Sequence, residues 1–417
     1  MMSISNSAKP LFVYLQRPDN GDWVVVGRYK HDPFSNIGMF RYADSYLDAG
    51  HKWSIDPVSL PLRKGEFLQA VRYAGLHDIL RDASPDAWGQ ALLRRVHNLP
   101  EGCTPLRYLA LSGNGDRWGA LAIGNSPAPG VAKLASPRLE QLSALIAELS
   151  AISENRPALN ASLRKRLFAT PSMGGARPKA TVSDADSFWL VKPGLATDTV
   201  DLALLEHVTQ QWGQAAGLHF AQSVHHPIMS GRSAVRILRF DRHGSRRFMT
   251  ISAASLLQVA YPPLHEADYT GASYARLAEE LRRIGVPAED WKCLFGRMVF
   301  NAVVGNDDDH PRNHAVVYAH EERRWRLAPA FDVVPNPEEN ALRLFMQVSA
   351  GRREISRANL LADFQRFGFA SHQDAAAHLD ELLEKISASF IDIAPLFSDD
   401  LKRLMQQRLL ANTALLT

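Results

Sequence analysis

The sequence predicts an α+β fold in which a β-rich N-terminal subdomain precedes a second β-containing lobe and an all-helical C-terminal lobe. Three observations carry this. The first part of the chain holds short β-prone runs cut by Asp, Asn, Gly and Pro; strand-like segments recur across residues 171–241; and from Ala272 onward the pattern is predominantly helical. The subdomain then covers 1–125, the β-containing lobe 126–245 and the helical lobe 246–417.

The runs LFVYLQ, DWVVVGRY and IGMFRY are the strands of the subdomain. In LHDILRDASPDAWGQALLRRVHNL, Ser84 or Asp86 caps a helix with Trp88, Leu92 and Leu93 on one face, a stripe that marks core. Residues 125–137, rich in Pro, Ala and Ser, read as a linker, and LEQLSALIAELSAISE after them as a helix. PSMGGARPKATV (Pro171–Val182) and SFWLVKPG (Ser187–Gly194) form a glycine turn between strands, the second strand ending in Lys192. DLALLEHVTQQWGQAAGLH sets Leu205, Val208, Trp212 and Ala215 at helical spacing, with Gly217 as its stop. SAVRILRFDRHG adds a strand, and the last segments, SRANLLADFQRFGF, HQDAAAHLDELLEKISASF and DDLKRLMQQRLLANTALL, are amphipathic helices.

Composition narrows the classes. With 417 residues, 46% hydrophobic and 22% charged, the chain has ample material for two or three globular domains. A net charge of +3 offers no average field for a large nucleic-acid surface, although DRHGSRRF and EERRWR are locally basic. Cys103 and Cys293 alone provide neither a disulfide framework nor a cysteine zinc site, which suits a reducing cytosol. MMSISNSAKPLFVYL lacks the apolar core of a signal peptide and no stretch approaches membrane-spanning length, so the expected location is cytoplasmic, away from membranes.

Chemistry concentrates in GNDDDHPRNH, Gly305–His314, and in APAFDVVP around Asp332. An acidic capped turn uses the same residue types, and a metal hydrolase would need more histidine ligands than His310 and His314. Phosphoryl transfer divides the labour differently. One carboxylate orients the attacking hydroxyl, here Asp308, while a second carboxylate and an amide oxygen hold Mg²⁺, here Asp332 and Asn313. The remainder of a nucleotide site lies upstream. Gly174 and Gly175 let backbone N–H groups approach phosphate oxygens, with Arg177 or Lys179 adding positive charge. Lys192 ends a strand, and Glu206 on the following helix is placed to reach back and fix it. Glycine loop, strand lysine, helix glutamate, connecting strand, D-x-H-x-x-N and a strand-flanked aspartate follow one another in the order of a protein-kinase-like two-lobed fold.

Over nearly its whole length the chain also resembles the HipA family of serine/threonine kinases, the toxins of bacterial type II toxin–antitoxin pairs. PSMGGARPKA resembles the family's phosphate loop, FWLVKP its lysine strand, ILRFDR its interlobe segment, NAVVGNDDDHPRNHAVVY its catalytic loop and LAPAFDVVP its metal-binding segment. VGRYKHD, FRYADSYL and PDAWGQALLRR resemble the preceding β-rich unit. The resemblance implies ATP and Mg²⁺ as cofactors, Asp308 as catalytic base, and Asn313 and Asp332 as metal ligands. It sets His310 and Arg312 beside the phosphates, and Gly174, Gly175, Ala176, Arg177, Lys179 and Lys192 around them. Leu238, Arg239 and Phe240 would receive the adenine, and Ser172 would be an autophosphorylation site whose modification expels the loop.

The run Asp307, Asp308, Asp309 leaves Asp307 open as the base if the loop is shifted. Implied partners are a small DNA-binding, HipB-like antitoxin and a protein substrate such as an aminoacyl-tRNA synthetase, with DNA contact mainly through the antitoxin. An inactive kinase scaffold acting as corepressor and a small-molecule phosphotransferase are the alternatives.

Overall fold

The computed structural model describes residues 10–169, 175–228 and 232–417. Ser172 and Gly174 therefore lie outside the described residues. The described chain forms two compact units, each assembled from two stretches: residues 1–188 with 241–251, and residues 189–240 with 252–417.

In the first unit the predicted strands form. Strands β1 (Leu11–Gln16), β2 (Trp23–Asp32) and β3 (Ile37–Tyr42) are joined by β4 (Leu68–Ala70) and β5 (Leu121–Gly124) in an antiparallel sheet of order β4-β3-β2-β1-β5. Alternation along β3 buries Phe40 and Tyr42 on one face, whereas β1 is buried on both, with Val13 and Leu15 on one side and Tyr14 and Gln16 on the other. Helix α1 (Ala87–His97) begins at Asp86, whose carboxylate accepts the Gly89 N–H at 2.8 Å, and its buried face carries Trp88, Leu92 and Leu93 as the sequence predicts. Helix α2 (Leu142–Ser153) follows the linker, and strand β6 (Ala180–Asp184) follows the glycine turn.

The basic stretch DRHGSRRF is surface only in part, at His243 and Ser245. Arg242 and Arg247 are buried, and the Arg247 guanidinium donates to the carbonyls of Asn114, Arg117, Gly119 and Leu121 at 2.8–3.1 Å. Arg242 donates to the Gly115 and Arg117 carbonyls. A guanidinium offers five donors, and inside a protein each seeks an acceptor, so these side chains tie 241–251 into the first unit. Two of the stretch's arginines therefore serve the interior of the first unit.

The second unit opens at Trp189 within strand β7 (Ser187–Pro193), followed by helix α3 (Leu202–Ala215), capped by Asp201, whose carboxylate accepts the Leu204 N–H at 3.0 Å. Strands β8 (Ser223–Ile228) and β9 (Arg232–Leu238) pair antiparallel, and β9 pairs with β7 through Lys192↔Val235 and Trp189↔Leu238. Helix α3 buries Ala203, Leu205, Val208 and Trp212 against this sheet and the helical lobe, whereas Ala215 faces solvent, the inward position one turn after Trp212 being taken by Ala216. The Trp212 indole N–H donates to the Ile386 carbonyl at 2.8 Å, which satisfies the one polar atom of a fully buried side chain.

Helices α4 (Tyr274–Arg283), α5 (Ala288–Val304), α6 (His372–Ile393) and α7 (Asp399–Leu416) build the helical lobe, together with a hairpin of Ala315–Ala319 and Arg324–Leu327. That hairpin is the addition to the expected helical lobe. Among the described residues no helix is long and apolar enough to cross a membrane.

Candidate functional site

Helix α5 delivers the polar cluster. It stops at Gly305, whose φ of +71° is left-handed, and a Cβ built there would lie 2.7 Å from Arg408 Cδ. Glycine is thus required twice over, by conformation and by space. The chain then enters the loop of three aspartates, and each has different partners. Asp307 accepts from the Asn336 amide at 3.1 Å. Asp309 is buried and accepts the Tyr274 hydroxyl at 2.6 Å and the Phe345 N–H at 2.6 Å. Burial pushes the Asp309 carboxyl up to about 7 in spite of those donors.

Asp308 lies exposed between them. The Tyr261 hydroxyl donates to its Oδ1 at 3.4 Å, and the Asn313 amide donates to its backbone carbonyl at 3.0 Å. The protein packed around the carboxyl, with the charges of Asp332 and Asp307, pushes it up to about 6 against the Tyr261 hydrogen bond; water on its open side limits the displacement. After Asp308 the chain makes a single turn over Pro311–Asn313, closed by Asn313 N–H donating to the His310 carbonyl at 2.8 Å.

His310 is buried and held neutral, its pKa lowered to about 4 by burial. Among the described residues its Nδ1 has no hydrogen-bond partner. The ring lies face to face with Tyr261, 3.7 Å between centroids. His314, by contrast, is packed away beside the Tyr274 ring, 5.2 Å between centroids, and is not turned to the same purpose. Arg312 is half-buried beside these groups.

Strand β7 brings Lys192 to the same unit's other polar group. Its ammonium contacts Glu206 Oε1 at 2.8 Å and Asp332 Oδ1 in a shorter contact. Burial opposes the charge on Lys192, but Asp332 and Glu206 outweigh it and hold the ammonium above its ordinary pKa. Asp332 is in the left-handed region with φ +58°, an uncommon conformation for a residue with a side chain. The Phe331 ring before it packs against Phe240 at 5.4 Å, so the segment Leu238, Arg239, Phe240, which starts at the last residue of β9, runs beside the aspartate segment. The Leu238 N–H donates to the Gln222 carbonyl at 2.8 Å, which fixes the start of that segment.

These residues suit a divalent cation in chemical type. Asn313 uses its amide nitrogen on Asp308, which leaves the amide oxygen as the ligating end, and Asp332 presents a half-open carboxylate. Among the described residues no three His, Cys, Asp or Glu side chains gather as a metal site.

The phosphate-loop residues sit in the first unit. Gly175 has φ +88°, a conformation open to glycine, and Ala176 beside it is exposed. Arg177 is half-buried. Lys179 is turned inward: its ammonium pairs with Asp86 at 3.3 Å, and both side chains are almost fully buried. This departs from the expectation of Lys179 along the phosphates, since an ammonium inside a protein stays charged only beside a carboxylate. The N-terminus of α1 holds this arm further, through Trp88 N–H to the Gly175 carbonyl and Trp88 indole N–H to the Lys179 carbonyl.

The sequence reading missed Tyr261, Tyr274, Asn336, Phe331 and Phe345. Phe331 and Asn336, which flank the Asp332 segment, carry a local signal; the other three do not.

Comparison with known proteins identifies the setting of these residues. Residues 171–390, more than half of the chain, match the model of the HipA-like C-terminal domain. The chain belongs to the HipA family. It shares the fold of HipA from Shewanella oneidensis MR-1, solved with HipB and operator DNA, at TM-score 0.69 over 97% of this chain and 96% of that one, with 15% sequence identity. Y4mE of Sinorhizobium fredii (strain NBRC 101917 / NGR234), described as a kinase by inference, is 25% identical over 368 residues, 82% of each chain. In this HipA-family protein the matched stretch contains Lys192, Glu206, Asp308, Asn313 and Asp332 together.

Proposed function

We propose that this protein is an ATP- and Mg²⁺-dependent serine/threonine protein kinase, the toxin of a bacterial type II toxin–antitoxin pair. One observation carries the reading: Lys192 is gripped at once by the helix carboxylate of Glu206 and by Asp332, with Asp308 exposed on the neighbouring loop. A lysine poised between a helix glutamate and a metal-binding aspartate is what phosphate positioning requires.

The chemistry follows from these groups. Asp308 accepts the proton of the acceptor hydroxyl as its oxygen attacks the γ-phosphorus, and ADP leaves with the displaced bond's electrons. Asn313 and Asp332 would hold Mg²⁺, which neutralises phosphate charge. Lys192, held by Glu206, would supply positive charge to a phosphate oxygen. His310, neutral, offers Nδ1, and Arg312 adds charge. Leu238, Arg239 and Phe240 would receive the adenine. Asp308 rather than Asp307 is the base, because Asp307 is engaged by Asn336 whereas Asp308 opens to solvent.

By analogy with the solved HipA–HipB–DNA complex, the partner is a small HipB-like antitoxin that carries the DNA contact. The acceptor is a translation protein such as an aminoacyl-tRNA synthetase, and Ser172 is the autophosphorylated residue. Labelled ATP added to cell lysate and to purified protein tests this. Transfer to protein and to Ser172, lost in Asp308→Ala, is the expected result. Transfer only to small metabolites would replace the protein acceptor, and no turnover would favour the corepressor scaffold.

A further inference from the structure

Tyr261 has no counterpart in the sequence motifs, yet it touches two of the groups in the catalytic loop. Its hydroxyl is 3.4 Å from Asp308 Oδ1, and its ring covers His310 at 3.7 Å between centroids, with the two planes 30° apart. Phe345 stands edge-on to both rings, at 5.4 Å from Tyr261 and 6.3 Å from His310. Asp308 is exposed, so water alone would satisfy its carboxylate and stability does not call for a tyrosine there. Asp307 and Asp309 each have their own donors from other segments, Asn336 and Tyr274. Among the described residues Tyr261 is the donor found at the Asp308 carboxylate.

We propose that Tyr261 is a positioning residue for phosphoryl transfer, its hydroxyl orienting Asp308 and its ring fixing His310. The inference rests on the reading of Asp308 as the base. With Oδ1 occupied by Tyr261, Oδ2 is turned to the acceptor hydroxyl, and one proton moves, from that hydroxyl to Asp308. Tyr261 gives up none: burial and the adjoining Asp308 hold its hydroxyl protonated above the ordinary tyrosine pKa. A carboxylate held by one hydrogen bond has lost one torsional freedom before the acceptor arrives, which is the usual gain from orientation.

The test compares the full-length parent, Tyr261→Phe, Tyr261→Leu and Asp308→Ala, measuring kcat, KM for ATP, Mg-ADP affinity by calorimetry and thermal midpoint. Tyr261→Phe keeps the stack and loses the hydrogen bond, so kcat falls roughly 10-fold, the scale of one hydrogen bond to a charged group. KM for ATP, Mg-ADP affinity and thermal midpoint stay at parent values. Tyr261→Leu, which loses the stack as well, falls further in kcat. Parent-level kcat in Tyr261→Phe overturns the inference and leaves Asp308 as base. A kcat loss matched by equal losses of Mg-ADP affinity and thermal midpoint also overturns it, by showing a structural role. Absence of Asp308-dependent turnover in the parent overturns the base assignment and the inference with it.

Discussion

Asp307 and Asp308 are adjacent, and changing either to asparagine removes one charge from the same loop. The outcomes should differ. Asp308→Asn removes the proton acceptor, and kcat is expected to drop by about 100-fold or more, the usual scale for a general base. Asp307→Asn keeps an acceptor for the Asn336 amide, and kcat should stay within about 3-fold of the parent. Steady-state kinetics with one acceptor protein decides it, and equal losses would return Asp307 to contention. Gly305 is the second residue with a sharp expectation. Alanine there meets both a left-handed φ and the Arg408 side chain, so Gly305→Ala should cost about 2 kcal/mol in urea unfolding. An unchanged urea midpoint would show that neither the left-handed backbone nor the Arg408 contact resists a Cβ there.

At the scale of elements, the start of α1 and the arm of the glycine loop act as one piece, joined by Asp86, Trp88 and Lys179. Lys179→Met leaves the Asp86 carboxylate buried without its partner ammonium, and the expected cost is about 3 kcal/mol, the scale for breaking a buried pair. Lys179→Met combined with Asp86→Asn removes both charges and should recover part of that stability. Chemical denaturation of the single and double variants measures the recovery, and a double variant no better than the single one would argue against the pair. The helix α3 shows what sequence periodicity reports well. Leu205, Val208 and Trp212 are all fully buried, as their spacing foretells, while at the helix end the inward position is Ala216 and Ala215 is outside, since i+3 and i+4 fit the same period.

For the whole molecule, the acid side of the stability curve carries a specific expectation. Burial draws the pKa of His77 in the first unit down to about 4, below its unfolded value near 6.5. The unfolded chain therefore takes up a proton that the folded one refuses, and the stability His77 contributes is present above pH 6.5 and lost as pH falls toward 4. The shift corresponds to something on the order of 3 kcal/mol. Asp56, buried and raised to about 6, acts in the opposite sense over much of that range, so the difference between parent and His77→Gln is the quantity to follow. That difference should shrink between pH 7 and 5 in urea titrations; a constant difference would contradict it.

The strands of the first unit and the helices of the second could be read from alternation and period, and so could the residue types of the catalytic loop. What could not be read was the division of roles within Asp307, Asp308 and Asp309. Those roles are set by Asn336, Tyr261 and Tyr274, which lie 29, 47 and 35 positions away. Arg242 and Arg247 were equally opaque, since a charged side chain goes inside only where distant backbone carbonyls converge on it.

The two arginines also set where the chain can be cut. A fragment starting at Trp189 would carry residues 241–251 without the segment 114–121 whose carbonyls receive those guanidiniums. Two cationic side chains shaped for an interior would then face water within an otherwise intact sequence. Excision at the family-domain boundary near residue 171 leaves the same stranded loop. The chain is thus indivisible at the places where sequence comparison would divide it, and separate expression of its parts requires replacing that loop rather than only choosing an end.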